Sequence, residues 1–212
     1  MNEYLQVSEV IDWQHPTILQ LAQQIASEHS TLVAAGCIRY GIAKACFEWV
    51  RDRIKHSSDY KLNPVTWRAS DVLKYGTGYC FAKSHLLAAL LRANSILAGF
   101  CYQRLSVHDN GEPYSLHGYN AIYLPEFGWY RVDARGNRHD IDAQFTPPEE
   151  KLAYSIRLDG ECDLQDVFPE PLPIVVEALM RCSKWDEMLS NLPDVSLGSL
   201  ALPINKREKP DH

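Results

Sequence analysis

The stretch 75-YGTGYCFAKSHLLAALLRA-93 sets a cysteine on the boundary between a glycine-containing turn and an almost wholly apolar run. From Cys80 to Ala93 the run carries Phe81, Ala82, Leu86, Leu87, Ala88, Ala89, Leu90 and Leu91. That pattern, apolar nearly all round, predicts a helix covered on most sides at the centre of a core. Cys80 stands at the mouth of this helix. There, unpaired backbone N–H groups and the helix dipole stabilise negative sulfur, and the thiolate is the form that attacks a carbonyl carbon. Gly76 and Gly78 let the chain turn tightly and leave room for a substrate beside the sulfur. A small buried apolar thiol is the commoner use of a free cysteine. These residues alone leave both readings open.

A nucleophilic cysteine needs a base. His85 is nearest in sequence, but five helical positions turn it about 140° from Cys80, so it reads as a helix-surface or core histidine. Lys83 and Ser84 are the true helical neighbours, and neither is a standard base for a thiol. His117 is better placed, at the start of a predicted strand in the hairpin 117-HGYNAIYLPEFGWYRVDA-134. With its turn at Pro125–Glu126–Phe127 and glycine at the bulge position, Leu124 faces Gly128. Tyr119 then lies opposite Asp133, and His117 is Asp133's diagonal neighbour on the same face, about 7 Å away at Cβ. A slip of one residue would put the two side chains on opposite faces. The candidate catalytic set is Cys80 as nucleophile, His117 as base and Asp133 as the carboxylate that orients the imidazole.

Outward from this centre, Pro16 fits the first turn of a helix through 18-ILQLAQQIASEH-29. A second helix covers about Cys37 to Lys55, with Ile38, Ile42, Ala45, Cys46, Trp49 and Val50 marking its buried face. The segment 56–67 reads as loop, and Ser70 caps a short helix ending at Gly76. Downstream, 96–105, 117–124, 128–134 and 152–157 are rich in aromatic and β-branched residues and predict strands. A final amphipathic helix over about 172–189 puts Val175, Leu179, Cys182, Trp185 and Leu189 on one face. Helices first and strands later predicts an α+β fold with an antiparallel sheet. The expected organisation is one domain over 1–205 with its core at about 37–137, and a loose polar tail over 206–212.

Composition is that of a soluble globular protein, 46% hydrophobic and 23% charged. A formal net charge of −6 gives no reason to expect nucleic acid as a partner. The N-terminus has no basic-then-apolar leader, and the best apolar run, 86–100, is broken by Arg92, Asn94 and Ser95, so no membrane is expected and the compartment expected is the cytoplasm. The six cysteines contain no C-x-x-C pair, so neither a disulfide scaffold nor a metal is expected. No acidic calcium loop is present, and no cofactor is expected.

Three motifs in order, 70-SDVLKYGTGYCFAKSHLLAALLRA-93, 117-HGYNAI-122 and 128-GWYRVDARGN-137, preceded by the helix 45-ACFEWVRDRIKH-56, resemble the transglutaminase-like superfamily. The resemblance implies a papain-like core in which Cys80 corresponds to the nucleophile, His117 to the base and Asp133 to the orienting acid. It also implies acyl chemistry at an amide or peptide bond through a thioester, with a peptide, protein or other amide as substrate. The chain departs from the family at 95-SILAGF-100, where Gly-Ile-Pro-Ala-Arg is common. Tyr119 replaces a tryptophan, and 133-DAR-135 replaces Asp-Pro-Thr. These changes bear on the substrate groove more than on the triad. The family's upstream oxyanion tryptophan has Trp67 as its candidate, with Trp49 behind it, and the Cys80 backbone N–H is the safer donor. Two other classes stand beside catalysis: a binding or scaffold domain that keeps the fold alone, and a redox thiol, which has no resolving cysteine near Cys80 in sequence. Tyr114, Tyr119, Tyr123, Trp129 and Tyr130 read as a cover for the sheet, with a substrate groove as the alternative.

Overall fold

In the computed structural model, which describes residues 1–30 and 38–196, helices come first and the main sheet later. Helix α1 (Pro16–Ser30) opens at Pro16, whose missing N–H is no loss in a first turn. Helix α2 (Ile38–Arg53) buries Ile42, Ala45, Cys46 and Val50 of the face read from the sequence, while Ile38 and Trp49 are half-buried. Its expected start at Cys37 lies outside the described residues. The segment expected as loop begins with order: β1 (Lys55–His56) runs into one helical turn, α3 (Ser57–Tyr60). Within this turn the buried Ser57 hydroxyl lies 3.0 Å from Thr77 Oγ1. Helix α4 (Ala69–Tyr75) ends at Gly76 in the left-handed region. Ser70, expected as its cap, lies inside the first turn, and Asp12 caps the helix from outside by accepting the Ser70 N–H (3.0 Å) and hydroxyl (2.5 Å). Strand β2 (Thr77–Gly78) pairs parallel with β1 in the register Lys55↔Thr77 and His56↔Gly78.

Helix α5 (Cys80–Ala93) has the bounds expected, and every residue from Cys80 to Arg92 is buried. It packs against α1, α2 and α4 and against the sheet. Its polar residues are therefore core groups with core partners. The Arg92 guanidinium donates to Gln6 O, Ala98 O and Pro169 O and pairs with Glu170. His85 Nδ1 lies 2.8 Å from the Trp67 carbonyl. Where α5 meets β4 there is room only for glycine: a Cβ on Gly118 would stand 2.6 Å from Phe81 Cδ1.

The sheet is antiparallel with order β5-β4-β3-β8, formed by β3 (Ala98–Ser106), β4 (Tyr114–Leu124), β5 (Gly128–Val132) and β8 (Cys162–Asp163). Its central hairpin has the expected register: Leu124 pairs with Gly128, which takes a φ of +74° at the bulge, and Asn120 pairs with Val132. β4 begins at Tyr114, so His117 lies inside the strand and not at its start. A small hairpin of β6 (Gln144–Thr146) and β7 (Glu149–Lys151) follows. Residues 152–157, expected as a strand, are not one. Their backbone polar groups are used singly by side chains: Ala153 N–H donates to Asp133, Tyr154 O accepts from Gln103, and Arg157 N–H donates to Glu161.

The C-terminal helix expected over 172–189 is two helices, α6 (Pro173–Arg181) and α7 (Trp185–Leu189). Cys182 and Lys184 are extended, and the break is held by the loop before α4: Ser183 O accepts from Val65 N–H, and Trp185 N–H donates to Asn63 Oδ1 (2.8 Å). The break resets the helical phase. Val175, Leu179 and Cys182 are buried as expected, but Met188 takes the core position and Leu189 turns outward.

Candidate active site

The register of the β4–β5 hairpin and the first turn of α5 bring the three predicted residues together. His117 Nε2 donates to Asp133 Oδ2 at 2.7 Å, and both side chains are buried. Cys80 lines the same cleft as the ring, near enough for its sulfur to act on the charge of His117. Asp133 is held from three sides, since Oδ1 also accepts the Arg135 N–H (3.0 Å) and Oδ2 the Ala153 N–H (3.2 Å).

The electrostatics follow from that arrangement. Burial disfavours charge on His117, but the Asp133 carboxylate and the Cys80 sulfur outweigh it and raise the ring to about 10. Burial would likewise raise Asp133, yet His117 and the two backbone N–H groups hold it below its ordinary value. The pair is an imidazolium and a carboxylate at neutral pH.

These groups open on a cleft of about 340 Å³. Tyr154, unmarked in the sequence, stands edge-on to His117 with ring centroids 4.9 Å apart. Asp59, carried in by α3, accepts two hydrogen bonds from Arg135 (2.6 and 2.9 Å) and one from Arg138 (3.1 Å). Leu189 and Leu192 close the far wall, on a C-terminal strap pinned by Leu116 N–H to Pro193 O (2.8 Å) and by the Arg104–Asp194 pair. His56, Asp59 and Tyr154 were not found from the sequence, because they reach the site through loops and a two-residue parallel pairing that leave no periodic signal.

Neither oxyanion tryptophan reaches this cleft. The Trp67 ring lies under the Arg68 guanidinium, 4.3 Å from its centroid, and Trp49 borders a groove with Ile25 and His29. The aromatic residues of the hairpin cover the sheet: Tyr119 and Tyr130 are buried, Trp129 packs on Tyr123 and Tyr4, and Tyr114 lies under Arg104. Lys83 turns away from the cleft toward the Arg51 and Ile54 carbonyls, and burial lowers it to about 7.

Among known proteins, the structure resembles a candidate cysteine protease from Cytophaga hutchinsonii (20% identity, TM-score 0.46, 62% of this chain and 40% of that one). It also resembles the periplasmic domain of TgpA from Pseudomonas aeruginosa (21% identity, TM-score 0.42, 62% and 45%). The chain thus spans less than half the length of either protein. No curated protein matches the sequence. No helix among the described residues is long and apolar enough to cross a membrane. Residues 20–134, which run from α1 to just past Asp133, match the transglutaminase-like superfamily, and the chain belongs to that superfamily.

Proposed function

We propose that the protein is a cysteine-dependent acyl-transfer enzyme that cleaves an amide or peptide bond, with Cys80, His117 and Asp133 as its catalytic residues. The observation that carries this reading is the buried His117–Asp133 hydrogen bond beside Cys80 in one cleft. Cys80 Sγ attacks the carbonyl carbon as a thiolate, and the C=O π pair moves to oxygen. On collapse the C–N bond breaks, and His117 gives its proton to the leaving amine. A thioester remains on Cys80. Water then attacks it while His117 takes the water's proton, and the carboxylic acid leaves as sulfur is released. Asp133 fixes the imidazole with its proton on Nε2 and favours the charged form. Water is the simplest acceptor for a cleft open to solvent, and the substrate class is a peptide, protein or other amide.

The test is site-resolved alkylation by iodoacetamide, followed by mass spectrometry in the wild type and His117→Ala. Rapid modification of Cys80 at pH about 6, slowed at least tenfold in the variant with the other cysteines unaffected, is the expected result. Cys80→Ala then loses all amide turnover while keeping its circular dichroism. A Cys80 that reacts only near pH about 8.5, or that ignores the loss of His117, overturns the proposal.

A further inference from the structure

Acyl transfer at Cys80, on which this inference rests, builds negative charge on the substrate's carbonyl oxygen, and that charge needs donors fixed in advance. The Cys80 backbone N–H is one: it belongs to the unpaired first turn of α5, and no side chain caps that turn. A second donor is required, and the tryptophans are elsewhere.

We propose that His56 is a catalytic residue, its Nε2–H donating to the oxyanion formed at Cys80. The β1–β2 register sets His56 beside Gly78, two residues ahead of the nucleophile. The ring lines the same cleft as Cys80 and His117, standing edge-on to Tyr79 with centroids 5.4 Å apart. In the proposed role the ring carries its proton on Nε2. Ser58 Oγ lies 3.1 Å from Nδ1. Asp59, 3.8 Å away, already has both oxygens engaged by Arg135 and Arg138, so it makes little claim on an Nδ1 proton. With the Ser58 hydroxyl donating to Nδ1, the single ring proton sits on Nε2, and the hydrogen bond His56 makes among the described residues is at Nδ1. Burial, with Arg135, Lys83, His117 and Arg138 around it, also holds the ring uncharged well below the usual histidine range. A neutral donor stabilises the oxyanion without competing with His117 for the proton that goes to the leaving group. His56 and His117 thus divide the work of one cleft: one stays neutral and donates, the other carries the moving proton.

Two reactions at the same sulfur separate this role from a structural one. Acylation by p-nitrophenyl acetate passes through an oxyanion, whereas alkylation by iodoacetamide displaces iodide at carbon and forms none. In His56→Ala, acylation of Cys80 is expected to fall about 100- to 1,000-fold while alkylation stays within about twofold. His56→Gln, whose side-chain amide keeps an N–H donor, is expected to recover part of the loss. Acylation at the wild-type rate in His56→Ala overturns the inference, and so does an equal fall in both reactions, which would make His56 a support of the site's shape. A wild type that does not acylate at Cys80 removes the acyl-transfer reading itself, and with it this inference, before any His56 variant is compared.

Discussion

His117 and Lys83 are both buried and respond to pH in opposite senses. His117 is raised to about 10 from an ordinary 6.5, so the stability it contributes is complete below pH about 6.5 and is lost as pH rises through about 10. Lys83 is lowered to about 7 from 10.5, so the unfolded chain binds the extra proton and stability rises across that window. The two slopes oppose each other in the wild type. Lys83→Met removes one of them, and from pH 7 to 9 its stability relative to the wild type is expected to fall by about 1.4 kcal/mol per pH unit. Urea unfolding at three pH values measures this, and a pH-independent difference would show that Lys83 titrates normally. At this scale the sequence was informative about the His117–Asp133 pairing, because strand alternation and one turn glycine determine which residues face each other. It was silent about His56 and Asp59, whose approach to Cys80 depends on pairing between segments with no repeating pattern.

The central helix and the hairpin were legible as elements because each satisfies its own backbone and repeats its apolar residues at its own period. The failures lie where side chains satisfy the backbone. Residues 152–157 look like a strand by composition, yet their N–H and C=O groups serve Asp133, Glu161 and Gln103 one at a time. The break between α6 and α7 is held by Asn63 and Val65, about 120 residues upstream, and no local pattern announces it. The contact of α5 with β4 gives a test that belongs to elements. In Gly118→Ala the new methyl meets Phe81, the residue after Cys80, at the point where helix and strand are closest. The expected cost is about 1–3 kcal/mol in chemical denaturation, with slower Cys80 alkylation as the strand carrying His117 is pushed away. A variant of unchanged stability and reactivity would show that Phe81 gives way freely.

Across the molecule, the cleft has walls from both ends of the chain. The order of helices and strands made the α+β class readable in advance, but the return of residues 185–196 to the Cys80 cleft was not. Asp194 pins that return: its two oxygens accept Arg104 Nε and a terminal nitrogen at 2.8 Å each. Asp194→Ala leaves the Arg104 guanidinium with the Gly160 carbonyl, an expected loss of about 2 kcal/mol. Because the strap packs on the outside of the core formed by α5 and the sheet, the variant is expected to be cut by trypsin after Lys184 faster than the wild type. Cleavage unchanged from the wild type would show that the Leu116–Pro193 bond holds the strap alone.

Asp133 gathers its three donors from strand β4, the turn after β5 and a segment twenty residues on. Under the proposed mechanism, Cys80 acquires an activated imidazole only when all three have arrived. Thiol reactivity at pH 6 is then a clock for refolding. A brief pulse of alkylating agent at successive times after dilution from denaturant would mark the moment at which the last of those segments docks, and no dye or engineered label is needed to see it.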